Sequence, residues 1–487
     1  MDSKNIRQST SRHVLLFIFL VSTILTHPPS TLAANNYHVS PGGNDSSPGS
    51  ITSPYRTIAR CLSSLGAGDT CSIHGGTYSE TLVLSKKGTS TNPITITSHN
   101  NEKAIIDGEH IRPTANLSSA EHIIISGLVL AKSSSYALYS DGSKNITIHG
   151  VEVDHPLDGG LIFRNSQNIL IENSNVHHTN FRGDGSHEAI SMVNTQDFEI
   201  KNNQVHDSLE EGIDAKYGTS NGKIHGNTVY DNGGPNIYVD AASDIKIYNN
   251  NVYSAKGDKA NIGLAVEYHS NKYLTENIEI YNNILRQSPG GISFWVEAEA
   301  ESYAKFNNIK IYHNLFYENK IRGAFRLGDA APYSSNIELI NNIFWKNTQN
   351  IDTLTNVDAS YNLFDNSPKG SNSLTAPSLN FVNENTFDFR LTANSPAIGT
   401  GSPTNLIAFD YADNPRPSLR ADIGPYEYQG MISSSSTPSP YPSPSVKPGD
   451  LNTDGLVNFV DFNLLISSFG NPYTIVDFNN IISNYGQ

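Results

Sequence analysis

Charged residues, apolar residues and cysteines are all scarce in this chain, and each shortage narrows what it can be. Charged residues make up 16% of its 487 residues and hydrophobic ones 37%, both low for a globular protein of this length. Asn, Ser, Thr and Gly fill the difference, which suits an elongated repeat structure with much exposed surface. Acidic residues outnumber basic ones 47 to 32, for a formal charge of −15. Phosphate binding needs a basic face, so the balance argues against nucleic acid as a partner. It also disfavours an anionic polymer unless a cation or a local basic patch bridges the two. With only Cys61 and Cys71 present, a single local disulfide is expected rather than a redox or metal site.

Long apolar runs are missing beyond the N-terminus. There Lys4, Arg7 and Arg12 precede an apolar run at residues 14–25, and the small residues Thr31, Ala33 and Ala34 follow it. A run this short reads as the core of an export signal over residues 1–34, not as a membrane span. The expectation is a secreted protein, at most attached to a cell surface, with no span left after cleavage.

Helical periodicity is absent too. The middle of the chain instead repeats a unit of roughly 22 to 31 residues: NITIHGVEV, NILIENSNV, DFEIKNNQV, NGKIHGNTV, DIKIYNNNV, NIEIYNNIL, NIKIYHNLF and NIELINNIF. A period of this size signals a solenoid. Each unit alternates apolar and polar residues, turns at Asn or Gly, and resumes with an apolar residue. A second short strand follows, as in GLIFRN, EAISMV, GIDAKY, NIYVDA and GISFWV. Alternation with period two indicates strands. No unit can bury its apolar face alone, so successive coils must stack at strand spacing, about 4.8 Å apart. Stacking places each recurrent Asn above the next, where side-chain amides can bond in a ladder, and Asn tolerates the left-handed backbone that such a turn needs. The fold expected is all-β, a right-handed parallel β-helix over residues 35–430.

The flanks carry a family resemblance. YHVSPGGNDSSPGS, PYRTIARCLSSLGAGDTCSIHGGTYSE and KKGTSTNPITITSHNNEKAIIDG resemble the N-terminal region of pectate-lyase-like β-helix proteins. The resemblance implies a short amphipathic helix at about residues 57–65 capping the open end. FDFRLTANSPAIGTGSP and DNPRPSLRADIGPYEY resemble the closing coil of the same proteins, which would place Arg416 in a structural segment. Capping is expected at both ends, because open strand edges invite association.

A Ser/Pro-rich stretch, SSSSTPSPYPSPSVK, marks a linker at residues 431–447, and residues 448–487 form a tail. The tail opens with GDLNTDGLVNFVDFNLLISSFG, which resembles a dockerin type I repeat, a small α-helical, EF-hand-like module. Its calcium ligands would be Asp450, Asn452, Asp454, the Leu456 carbonyl, Asn458 and Asp461, with Gly455 at the sharp turn. Oxygen donors at loop positions 1, 3, 5, 7, 9 and 12 are what Ca²⁺ requires. A complete dockerin has two such loops. The second half here, NPYTIVDFNNIISNYG, keeps Asp477 but lacks the earlier ligand positions, so the partner is either cohesin-like or another cell-surface component.

Unusual outward residues cluster in GDGSHEAISMV, HDSLEEGIDAKYG and NGGPNIYVDAA. If Ile190, Ile213 and Ile237 point inward, Ser191, Asp214 and Tyr238 share one outward row, and Val193, Lys216 and Asp240 the next. Asp184, His187, Glu188, Asp207, Glu210 and Glu211 then lie in loops leading to this face. EGIDAK resembles the strand bearing the catalytic lysine of family 9 polysaccharide lyases. The resemblance implies Lys216 as the base in a calcium-assisted β-elimination on a uronate glycan. It implies Ca²⁺ ligands drawn from Asp184, Glu188, Glu211, Asp214 and Asp240, although the family's closely spaced aspartate cluster is not present in recognisable form. A lysine base near neutral pH must lose about two or three units from a pKa near 10.4, roughly 3 to 4 kcal/mol. Asp214 and Asp240 alone push it the wrong way; a divalent cation that consumes them reverses the sign.

Two other readings stay open. Glu188, Glu211, Asp214 and Asp240 offer the carboxylate pair of a glycoside hydrolase, though the paired-Asp and Gly-His-Gly signatures of polygalacturonases are missing; a uronate epimerase is mechanistically close to the lyase. The chain could instead be a non-catalytic glycan-binding or scaffold protein, since the fold alone assigns no activity. Tyr217, Tyr238, Tyr268 and Trp295 are candidates to stack on sugar rings, and Arg326 to pair with a substrate carboxylate.

Overall fold

The computed structural model describes residues 34–183, 187–404 and 407–430. Residues 1–33 of the expected export signal, Asp184, the linker and the calcium loop with Asp450, Asn452, Asp454, Leu456, Asn458 and Asp461 lie outside the described residues. The chain divides into two units at Tyr428 and Gln429, and the β-helix is the first. Among the described residues it has three long parallel sheets. Sheet I has thirteen strands, from Asn36–Val39 to Val357–Ser360; sheet II has ten, from Leu82–Val83 to Gly323–Arg326; sheet III has thirteen, from Gly76–Tyr78 to Leu374–Thr375. One coil runs from Gln204–His206 in sheet III through Ile213–Lys216 in sheet II and Ser220–His225 in sheet I to Thr228–Tyr230, again in sheet III.

The two residues of each Asn pair do different work. The first, as in Asn202, Asn249, Asn282 and Asn341, takes φ between 52° and 58° and makes the corner between sheets I and III. Gly226 fills the same position with φ 64°. The second turns inward. Asn203, Asn227, Asn250, Asn283, Asn314, Asn342 and Asn362 are buried, and each of the first six donates its side-chain amide to the side-chain carbonyl oxygen of the next at 3.0–3.1 Å. That same oxygen also accepts the backbone N–H of the preceding Asn. The ladder thereby satisfies polar groups that burial would otherwise leave costly.

The interior is filled by in-register apolar rows. Phe316, Phe344 and Phe364 stack at 4.7 and 4.9 Å between ring centroids, with planes within 6°. In sheet I, Gly222 leaves the space that the Phe198 ring occupies; a Cβ there would stand 2.1 Å from it. At the N-terminal end the helix Ile58–Ser64 buries Ile58, Cys61 and Leu62, and Cys61 and Cys71 form a disulfide. Thr57 caps it, and Glu80 accepts the Ile58 and Ala59 N–H groups.

The C-terminal segment behaves differently from a closing coil. Phe389, Ala397 and Ile423 pack against Ile284, Leu315, Ile343 and Leu363, on the outer flank of sheet III. The cause is visible in the register. The outward row reads Asn175, Gln204, Thr228 and Asn251, then switches to Ile284, Leu315, Ile343 and Leu363. Each covered apolar side chain contributes about 1.5–3 kcal/mol, so this flank draws a second layer onto itself. Arg416 is buried there against Glu427, Nη1 to Oε2 at 2.9 Å.

Candidate active site

Sheet II carries two outward rows set by strict parallel register. One reads Tyr139, Ile162, Ser191, Asp214, Tyr238, Gly263, Ser293 and Arg326; the other Asp141, Arg164, Val193, Lys216, Asp240, Ala265 and Trp295. Small residues at Ser191, Gly263 and Ala265 leave a depression beside the larger ones. Loops ahead of the strands wall it in. They bring Glu188 before the strand Ile190–Val193 and Glu211 before Ile213–Lys216.

Lys216 is paired twice. Its ammonium contacts the Glu188 carboxylate from the preceding coil and lies 2.9 Å from Asp214 Oδ2 on its own strand. All three side chains are largely buried, with relative exposures of 15, 6 and 0%. Burial alone lowers an ammonium's pKa, but Asp214 and Glu188 more than offset it, and Lys216 is held well above its ordinary range. Asp214 is pushed up by burial and by the neighbouring charges of Glu188 and Glu211. Burial also raises Glu211 to about 7 and, with help from Glu267, raises Asp240 to about 7.

Several acceptors in this cluster lack a donor. Asp240 Oδ1 takes the Glu267 N–H at 2.9 Å, whereas its Oδ2 is buried with no hydrogen-bond partner among the described residues, as is Asp214 Oδ1. Tyr238 donates its hydroxyl to Glu267 Oε1 at 2.7 Å. Acidic groups thus outnumber basic ones in a desolvated space.

The cleft over these groups is lined by Tyr136, Arg164, His187, Glu188, Glu211, Lys216, Tyr217, Tyr238, Asp240 and Glu267. It continues along the coil axis past Tyr238 and Glu267 to Trp295 and Arg322. Lys216, Glu188, Asp214, Asp240 and Glu211 therefore come together. Tyr217 stands at the mouth with its ring 5.4 Å from the Lys216 ammonium, and Trp295 is half-exposed. Tyr238 is nearly buried and anchored to Glu267, so only its edge lines the cleft. Arg326 lies apart, with its guanidinium against Gly328; Arg164 and Arg322 are the arginines of the groove. Neither they nor Glu267 stood out in the sequence. Arg164 was legible from its place in the Lys216 row, whereas Glu267 follows a strand and no pattern marks it.

Comparisons with known proteins agree on architecture. A family described as "Pel9A-like, right handed beta helix region" matches residues 37–187, and one described as "Right handed beta helix region" matches residues 136–308. The strand bearing Lys216 falls within the second match. Among curated proteins, the uncharacterized protein YwoF of Bacillus subtilis is 29% identical over 375 residues, 64% of this chain and 76% of the relative. Pectate lyase PEL9 of Emericella nidulans is 36% identical over 104 residues, 20% of this chain and 25% of that enzyme. The crystal structure of pectate lyase Pel9A superposes with a TM-score of 0.53 at 16% identity, covering 81% of this chain and 96% of the other. The chain folds as a right-handed parallel β-helix, and its residues 37–187 match the Pel9A-like model.

Proposed function

We propose that this protein is an exported, calcium-dependent polysaccharide lyase that cleaves a uronate-containing glycan by β-elimination. The observation that carries the reading is a buried lysine surrounded by an excess of desolvated carboxylates on the floor of a groove. The donor set fits a hard divalent cation: every candidate is a carboxylate oxygen, and Asp214 Oδ1 and Asp240 Oδ2 are buried without partners among the described residues. Glu188, Glu211, Asp214 and Asp240 are the residues that would hold it. When bound, Ca²⁺ supplies positive charge that offsets the acidic cluster and attracts a uronate carboxylate.

The chain's own groups then have distinct tasks. As a free ammonium, clamped by Asp214 and Glu188, Lys216 cannot accept a proton. Were those carboxylates to hold a cation, they would favour the ammonium less, and burial would favour the neutral amine of Lys216. Neutral Nζ takes the C5 proton of the uronate; the electron pair forms the C4–C5 double bond, the C4–O bond breaks, and the departing oxygen takes a proton from solvent. Arg164 and Arg322 flank the centre along the groove; Arg164 faces a uronate carboxylate directly, whereas Arg322 is paired with Asp258 and a uronate carboxylate would share it. Trp295 offers an apolar face to a sugar ring.

The product decides the matter. Incubation with polygalacturonate and calcium is expected to give ultraviolet absorbance from unsaturated uronates, lost with chelator and in Lys216→Ala. New reducing ends without absorbance would overturn the lyase reading in favour of a hydrolase. The hydrolase alternative draws support from Glu211 and Asp240, each near 7, because a glycosidase needs a carboxylic acid that is still protonated near neutral pH. Neither signal, with glycan binding retained, would identify a non-catalytic binding protein.

For residues 450–461 the proposal is a calcium-bound attachment loop for a cohesin-like or cell-surface partner. Asp454→Ala is expected to remove one calcium equivalent by calorimetry while leaving the lyase rate unchanged; an unchanged calcium stoichiometry would contradict it.

A further inference from the structure

Three imidazoles meet at the N-terminal end of the coil, far along the chain from the cleft and on a different sheet. His38 lies in Asn36–Val39, His74 directly follows Thr70–Ile73, and His99 directly follows Ile94–Ser98; these are the first three strands of sheet I. Val39, Ile73 and Ser98 stand in register, so His74 and His99 hold equivalent positions one coil apart, and His38, two positions earlier and opposite Ser72, reaches them from the first strand. His38 Nδ1 is 3.2 Å from His74 Nε2, and one nitrogen from each of the three rings falls within 4.8 Å of the others. Nitrogens bound to one tetrahedral ion at about 2.1 Å are about 3.4 Å apart, close to the spacing already present.

The surroundings suit ligation. Glu102 Oε2 lies 3.5 Å from His74 Nδ1 and is itself fixed by the Gly75 N–H at 2.6 Å. A carboxylate on Nδ1 settles the tautomer and leaves Nε2 with its lone pair toward the cluster, the arrangement that orients metal-bound histidines. His38 is 5% exposed, whereas His74 and His99 are half-buried, so the corner is open on one side.

We propose that His38, His74 and His99 form a binding site for a borderline divalent transition metal such as Zn²⁺, with Glu102 positioning His74. Imidazole nitrogens select this class over calcium. The bound ion ties the first three coils together beside the capping helix. A second group, Asp154, His155 and His178, is less suited: the His155 and His178 rings stack within 10° of parallel at 4.4 Å, so their in-plane lone pairs do not converge. At the first corner all three rings are inclined to one another, His38 to His99 at 73°, His38 to His74 at 42° and His74 to His99 at 35°.

The test uses the full chain, stripped with chelator and returned to buffer with saturating Ca²⁺ to fill oxygen-donor sites. Titration with Co²⁺ is expected to develop visible bands of four-coordinate cobalt that saturate at one equivalent, and Zn²⁺ to raise the melting temperature. His38→Gln and His99→Gln are expected to abolish both; His99 lies in a surface turn, which makes His99→Gln the safer variant for folding. Glu102→Gln should keep the stoichiometry but weaken binding about 10–100-fold. His178→Gln should change nothing. No saturable cobalt spectrum in the wild type, a spectrum that survives His99→Gln, or one that disappears in His178→Gln would overturn the assignment.

Discussion

Lys216 and Asp240 stand opposite each other on adjacent parallel strands, one coil step apart, yet the ammonium turns away, to Asp214 on its own strand and Glu188 in the preceding coil. Asp240 is left with a buried oxygen that no donor reaches among the described residues. The site is therefore unbalanced in a specific direction: its one buried ammonium is already engaged, and its remaining carboxylates await a positive charge. That imbalance, more than the identity of the lysine, is what the functional reading rests on.

A lysine used only as an ion-pair partner and a lysine used as a base respond differently to replacement. Lys216→Arg preserves the positive charge facing Asp214 and Glu188 but cannot shed its proton. It is expected to keep most of the thermal stability and to lose the lyase rate by about 10²–10⁴-fold. Lys216→Ala should lose both, because it leaves buried carboxylates uncompensated. Side-by-side melting curves and initial rates check this.

Asp240 makes stability depend on pH in the calcium-free chain. Its pKa rises from about 3.9 in an unfolded chain to about 7 when folded. Between those values the folded state binds more protons, so its stability falls as pH rises, by on the order of 4 kcal/mol in the limit. Asp240→Asn removes this loss. Denaturant unfolding at pH 4.5 and 7.5 is expected to show the variant gaining on the wild type as pH increases, with added Ca²⁺ at pH 7.5 narrowing the gap.

The Asn ladder is a stability element with a measurable rung. Asn283→Ala strands the backbone N–H and side-chain amide of Asn250, which both donate to Asn283 Oδ1. Each unsatisfied group costs about 1–3 kcal/mol, so a loss of about 2–5 kcal/mol is expected in denaturant unfolding. Asn203→Ser should cost less, because Ser174 already occupies the ladder position one coil earlier and accepts the Val151 N–H there.

If uronate carboxylates run along the groove, Arg164 and Arg322 contribute to binding and not to the proton transfer. Arg164→Ala and Arg322→Ala are expected to raise KM for polygalacturonate several-fold with kcat little changed, and the difference should shrink in high salt. Arg326→Ala, away from the groove, should leave both constants alone.

Much of this was legible in the sequence because a parallel coil makes period and register the same thing. Once Ile190, Ile213 and Ile237 are taken as inward, Asp214 with Tyr238 and Lys216 with Asp240 fall into facing pairs. The double role of the Asn pairs followed from the same stacking. Loops carry no such period. Glu267 reaches the cluster from beyond the strand Ala260–Val266, and nothing in its spacing announces that. The histidine corner was invisible for a related reason: His38, His74 and His99 are separated by stretches of different length, and only coil stacking brings them together. The outer layer on sheet III was missed although its signal was present, in the change from Asn251 to Ile284 along one outward row.

The most direct measurement is the ionisation of Lys216 itself, followed by NMR of lysine-labelled protein with Lys216→Arg to assign the resonance. Without divalent cation, the side chain is expected to remain an ammonium well past the ordinary lysine range; with calcium bound, it should release its proton at markedly lower pH. A resonance that stays protonated over the same range whether or not calcium is present would contradict the account.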